Sequence, residues 1–161
     1  MRATACPEVI DVPAVSPETG TMPDTCTFCR ILRDEPDDII WVEREDEAVA
    51  FRPLPESELA PGHTLVLPRA HSVGLLDADP RALQATTALA QRVGRAMRAA
   101  LGATGVVVLS ASGADAGQSV PHLHLHVVPC WDDDGVTFWP EGRSKHRVDG
   151  DPHALLAEMF E

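Results

Sequence analysis

Residues 121–129 read PHLHLHVVP, and this stretch constrains the chain more than any other. A strict alternation of histidine with leucine, closing on two valines and fenced by prolines, is a strand pattern and not a helical one. A two-residue period puts His122, His124, His126 and Val128 on one face, with Leu123, Leu125 and Val127 on the other. Three histidines in alternate positions with apolar flanks make a solvent-facing polar stripe a poor account; an interior strand fits better. Adjacent histidines on one strand face have Cα atoms roughly 6.5–7 Å apart, so one metal ion could take two of them, and a catalytic three-histidine site is open in principle.

The segment before the strand, GADAGQS (113–119), is small and contains two glycines. Its N–H groups can approach an anion closely and Ser119 adds a hydroxyl, although no Gly-Lys-Ser/Thr follows as a Walker loop would need. An anion-binding turn beside a histidine strand points to phosphate chemistry with histidine as nucleophile or base.

The rest of the chain supplies one domain around this strand. CTFCRILRDE (26–35) predicts a short helix. DIIWVERE (38–45) and EAVAFRP (47–53) predict a β-hairpin turning at Glu45 and Asp46, and TLVLP (64–68) a short strand ending at Pro68. The clearest element is the helix of residues 79–102, with Asp79 placed to cap, Pro80 at its first turn and Gly102 at its end. Its stripe of Leu83, Thr87, Ala90, Val93, Met97 and Leu101 should cover a sheet, with Arg81, Arg92, Arg95 and Arg98 outward. TGVVVLSAS (104–112) predicts a buried strand and DPHALLAEMFE (151–161) a closing helix with a capping Asp. Hairpins and one long helix in mixed order give an α+β fold class. Residues 1–22 hold prolines and no helical periodicity and are expected to be a flexible lead-in to a domain of residues 23–161.

Composition excludes some functions. The formal net charge of −12 argues against a nucleic-acid backbone or an anionic membrane as partner. No apolar run approaches the roughly 20 residues of a membrane helix, nor does the N-terminus carry a signal-peptide core, so a cytoplasmic location is expected. In that compartment Cys6, Cys26, Cys29 and Cys130 are not expected to build a disulfide framework. Cys26 and Cys29 form a Cys-x-x-Cys pair with no βαβ unit after it, which disfavours a redox motif. A closed zinc site needs two further ligands, with His63, His71, His122, His124 and His126 as candidates. His146 and His153 lie in the tail and are expected to be solvated.

These motifs together resemble the histidine triad (HIT) superfamily. Its pattern of three histidines alternating with apolar residues reads here His122-Leu-His124-Leu-His126-Val-Val, and CTFCRI, VAF, PGHTLVLPRAH and AGQSV occur in the family's order. The resemblance covers about residues 25–130. It implies a HIT-like fold, an antiparallel sheet of about five strands with one long helix and short helices. It also implies cleavage of a nucleotide conjugate, a nucleoside phosphoramidate or dinucleoside polyphosphate, at its α-phosphorus through a nucleotidyl-histidine intermediate. By match His124 is the nucleophile and His126 contacts the phosphate, stabilising developing negative charge if protonated. Gly117, Gln118 and Ser119 match the loop at the phosphate and leaving group, and Phe28, Ile31 and Phe51 match an apolar base slot. Cys26, Cys29, His71 and His122 match the ligands of a structural zinc. His63, in PGH, is expected to support or pack. Family members usually dimerise through the long helix and adjoining sheet edge, so a homodimer is expected.

Two departures fall on the nucleoside side. Pro53 stands where an acidic or amide residue usually binds the ribose hydroxyls, and Ala111 stands where an amide is usual. Ribose recognition is therefore expected to be weakened, or rerouted through Glu56, Ser57 or Glu58. Two other classes remain open: a non-catalytic nucleotide-binding or scaffold protein, and a hydrolase using the histidines as catalytic metal ligands.

Overall fold

A computed structural model describes residues 23–132, 134–140 and 142–160; the lead-in expected over 1–22 lies outside them. Five antiparallel strands form one sheet in the order β1-β2-β3-β5-β4: β1 Trp41–Arg44, β2 Ala48–Phe51, β3 Thr64–Pro68, β4 Gly105–Leu109 and β5 Leu125–Cys130. Three helices accompany it: α1 Thr27–Asp34, α2 Pro80–Leu101 and α3 Pro152–Glu158. The fold is α+β.

The two faces of the sheet do different work. Alternation sends Ala48, Ala50, Val66, Leu125 and Val127 to one face, where they meet Leu89, Ala90, Val93 and Met97 of α2. The other face carries Val49, Phe51, Leu65 and Leu67, which bury Cys26, Phe28, Cys29 and Leu32 of α1 and its approach.

α2 begins where Asp79 accepts a hydrogen bond from the Arg81 N–H at 2.8 Å and ends at Gly102, whose φ of 66° is left-handed. Its buried face differs from the expected stripe. Thr86, Leu89, Ala90, Val93, Gly94 and Met97 are buried, whereas Thr87 and Leu101 are exposed and Leu83 is half-buried. The buried face runs through Gly94, which lies against Val106: a Cβ there would meet Val106 Cγ1 at 3.4 Å, an ordinary contact. Thr86 is admitted inside because its hydroxyl donates to the Ala82 carbonyl at 2.7 Å, leaving only its methyl to be buried. All four named arginines face outward.

Three further expectations shift. The strand of 104–112 forms only over Gly105–Leu109 and is an edge strand, partly exposed, because the chain then turns into the loop before β5. The strand of 121–129 starts only at Leu125, since the Leu123 N–H leaves the sheet to donate to the Ser72 carbonyl at 2.8 Å. His122 and His124 therefore precede the strand, and the four side chains do not share one strand face. α3, capped by the Asp151 carboxylate on the His153 and Ala154 N–H groups, is exposed along its length and does not close onto the body. No helix among the described residues is long and apolar enough to cross a membrane.

Candidate active site and metal centre

Leaving the sheet early gives each triad histidine its own surroundings. The His122 ring is buried and turns toward α1. Its Nε2–H donates to the Pro68 carbonyl at 2.9 Å, which leaves the Nδ1 lone pair free. That Nδ1 stands 3.6 Å from Cys26 Sγ, 3.5 Å from Cys29 Sγ and 3.4 Å from His71 Nδ1, and Cys29 Sγ stands 3.3 Å from His71 Nδ1. Donor atoms on a tetrahedral zinc, about 2.0–2.3 Å from the ion, stand about 3.3–3.8 Å from one another. These four separations fit four of the six edges. All four donors lie within 4.8 Å of one another, and three of the residues are buried.

The electrostatics agree. Burial pushes the His122 imidazole down to about 4, with the neighbouring His71 and His124 adding to the effect, so it is neutral and able to ligate. Burial and the adjacent Cys26 push the Cys29 thiol up to about 12, and a bound dication reverses that preference. The residues fit a zinc ion, and two thiolates would cancel its charge.

His124 points the other way round the same turn. Its Nδ1–H donates to the His122 carbonyl at 2.7 Å, so Nε2 carries a free lone pair. The ring is buried and meets the Phe28 ring edge-on at 5.2 Å. Its own carbonyl accepts from the Ser110 hydroxyl at 3.0 Å. An imidazole anchored through one nitrogen and bare at the other has the form of a nucleophile.

His126 lies on β5 opposite Leu65 and Leu109, its ring 5.0 Å from that of His124. Its partner is His63, whose Nε2 is 3.0 Å from His126 Nδ1. The direction of this bond follows from the next one. The Leu59 N–H donates to His63 Nδ1 at 3.1 Å, so His63 carries its proton on Nε2 and donates to His126. His126 then holds its own proton on Nε2. Burial lowers its pKa to about 4, helped by His124 and His63, so it presents a neutral N–H donor rather than the protonated ring considered from sequence. His63, expected from the sequence to support or pack, meets His126 directly. Its position in PGH was visible, but a separation of 63 residues from His126 gave no sign of their contact.

The loop residues divide. Gly117 has a left-handed φ of 86° that glycine adopts freely, closing the one-turn helix Ala114–Ala116. The Gln118 amide is engaged at both ends: its oxygen accepts from the Gly113 N–H at 2.8 Å, and its nitrogen donates to the Val73 and Val120 carbonyls. It braces the loop. Ser119 is exposed beside it. Phe28 and Phe51 lie edge to face at 5.8 Å with Trp41 against Phe51 at 5.4 Å, and Ile31 is half-buried beside them. Pro53 is buried, and Ala111 half-buried. Glu58 is held by Arg52 at 2.6 Å, in a groove it shares with His63, Val93 and Met97.

Residues 35–132 match the HIT domain. The chain is 36% identical over 109 residues to an uncharacterized HIT-like protein of Saccharolobus solfataricus, covering 68% of this chain and 76% of that one. It is 30% identical over 112 residues to the adenylylsulfatase HINT3 of Arabidopsis thaliana, covering 70% of this chain and 55% of that protein. Among solved structures, a Zn-bound histidine triad family protein from Mycobacterium smegmatis superposes with a TM-score of 0.66 at 30% identity, over 84% of this chain and 96% of that one.

Proposed function

The chain belongs to the HIT-domain family, and on that premise we propose that it is a nucleotide hydrolase or nucleotidyl transferase acting through His124. One observation carries the reading: the His124 ring is anchored at Nδ1 and bare at Nε2. His124 Nε2 attacks the α-phosphorus of a nucleotide conjugate, forming a P–N bond. The bond from phosphorus to the leaving group breaks, and that group departs with the electron pair. Water then displaces His124, losing a proton and releasing the nucleoside monophosphate; where another acceptor attacks instead, the nucleotidyl group ends up on that acceptor. The neutral His126 Nε2–H, oriented by His63, donates to an α-phosphate oxygen as charge builds. Ser119 and Gly117 border the leaving group, and Phe28, Ile31 and Phe51 form the apolar wall for the base.

The substrate class is a nucleotide whose α-phosphorus carries a good leaving group: a phosphoramidate, a dinucleoside polyphosphate or, by likeness to the adenylylsulfatase, a mixed sulfate anhydride. A zinc held by Cys26, Cys29, His71 and His122 is structural in this reading, tying α1 to the start of β5. The binding-module reading draws on Pro53, buried where a ribose acceptor would stand.

The test is a panel of adenosine and guanosine phosphoramidates, dinucleoside polyphosphates and adenylyl sulfate, with wild type and His124→Ala, each read by product release and intact mass. Turnover by wild type alone, with a nucleotidyl adduct, is expected. No turnover and no adduct from folded, zinc-loaded protein would favour the binding module. Separately, AMP and 2′-deoxy-AMP should bind with affinities within about threefold, since losing one hydrogen bond of about 0.5–1.5 kcal/mol removes most discrimination.

A further inference from the structure

We propose that the metal centre is the positional anchor of the nucleophile, acting through the His122 backbone carbonyl and the Phe28 ring. The inference rests on the reading of His124 as nucleophile.

The first route is one peptide unit. The His122 ring belongs to the metal cluster, and its carbonyl is the acceptor that fixes His124 Nδ1–H at 2.7 Å. The same peptide plane ends in the Leu123 N–H, which donates at 2.8 Å to the carbonyl of Ser72, the residue after the candidate ligand His71. The His122 N–H is spent on the Val120 carbonyl at 2.8 Å. The orientation of the carbonyl that anchors His124 is thus set between two members of the cluster.

The second route is a side chain. Phe28 lies between Cys26 and Cys29 and packs edge-on against both His122, at 5.9 Å, and His124, at 5.2 Å. α1 has only 8 residues, well short of the roughly 12–15 an isolated helix needs, and Cys26 at its N-cap makes no side-chain capping bond. Its thiol faces the cluster instead. Two of the four cluster side chains therefore hold α1 in register with the sheet, and Phe28 transmits that register to the His124 ring. With the donors joined, His124 keeps one tautomer and one pose. With them released, α1 and the His122 peptide are freer, and the ring samples both tautomers.

The test uses full-length protein labelled with 15N-histidine at one pH near 7.5, with ring nitrogens read by long-range proton–nitrogen correlation. Zinc-loaded protein is expected to show His124 as a single Nδ1–H tautomer with well-separated nitrogen shifts. Chelator-stripped protein that keeps its amide dispersion is expected to show the two His124 shifts converging. If stripping unfolds the protein, Phe28→Leu carries the comparison while retaining one zinc per chain, and convergence of the His124 shifts is again expected. His124 signals that coincide with those of loaded wild type overturn the proposal. Turnover of the nucleotide panel is measured on the same loaded sample. Its absence would strike the nucleotidyl-transfer reading and leave the ring-nitrogen comparison standing.

Discussion

At the scale of residues, the site is a set of proton addresses. Each triad histidine is fixed at one nitrogen by a different acceptor or donor: Pro68 carbonyl for His122, His122 carbonyl for His124, His63 for His126. Removing the last of these tests how much orientation matters. His63→Leu leaves His126 Nδ1 without its donor, and kcat should fall about 3- to 10-fold, the worth of one hydrogen bond, in a steady-state assay on the preferred nucleotide. Buried neutral histidines also set a pH dependence. His126 is held from an ordinary 6.5 down to about 4, with the His63 and His124 rings facing it and Glu58 beyond His63. The unfolded chain takes up this proton near 6.5 and the folded chain only near 4. Stability should therefore be full above about pH 7, fall as pH drops from 6.5 to 4, and level off below. Thermal melts across that range, with His126→Asn showing a shallower fall, check it. The residue types were legible in the chain, because three alternating histidines and a Cys-x-x-Cys pair are rare enough to read, but the residues alone left five histidines open beside the cysteines and only the family resemblance singled out His71 and His122. Their tautomers were not, since each depends on a carbonyl or ring brought from another element.

At the scale of elements, two readings from periodicity met limits that have a physical cause. Alternation over residues 121–129 correctly marks a strand but cannot say where pairing starts. Pairing with β3 begins only at Val66 and Leu125, and the residues before it serve the cluster and the Ser72 carbonyl instead. A strict strand would have aimed His122 and His124 in the same direction; the break lets one join Cys26, Cys29 and His71 while the other keeps Nε2 bare. On α2, a three-four spacing placed the stripe on Thr87 and Leu101, while the contact face runs through Thr86 and Gly94. α1 is short and draws its stability from Phe28, Leu32 and the two thiols. Metal removal should act there first. Chelation, or Cys29→Ser, is expected to lower the melting temperature by about 10 °C or more, since loss of several kcal/mol at about 2–4 °C per kcal/mol is characteristic of a chain this size. A catalytic metal would give a different result: activity lost on chelation with the melting temperature unmoved.

At the scale of the molecule, the sheet has two edges of unlike character. β1 is guarded, with a register shift between Trp41 and Glu43 and charged side chains at Glu43 and Arg44. β4 reads GVVVL, carries no charge, and is the other edge. Beside it a groove of about 520 Å³ runs between strand and helix, with Ala90, Gly94, Val106 and Val108 in its wall and Arg95 and Arg98 on its helix side, and Val108 is 51% exposed. An uncharged edge strand that no described strand other than β5 pairs with is a template for another strand. A second copy would offer the matching surface by two-fold symmetry, β4 against β4 and α2 against α2, the two-fold dimer being the commonest closed assembly. The net charge of −12 opposes association over long range but is screened within about 8 Å at physiological salt, so it slows encounter more than it weakens a dry contact. Sedimentation equilibrium should therefore find a dimer whose dissociation constant rises at least tenfold in Val108→Asp, which would bring a carboxylate from each copy into the seam. A monomer in wild type at micromolar concentration would leave β4 to be covered by something else.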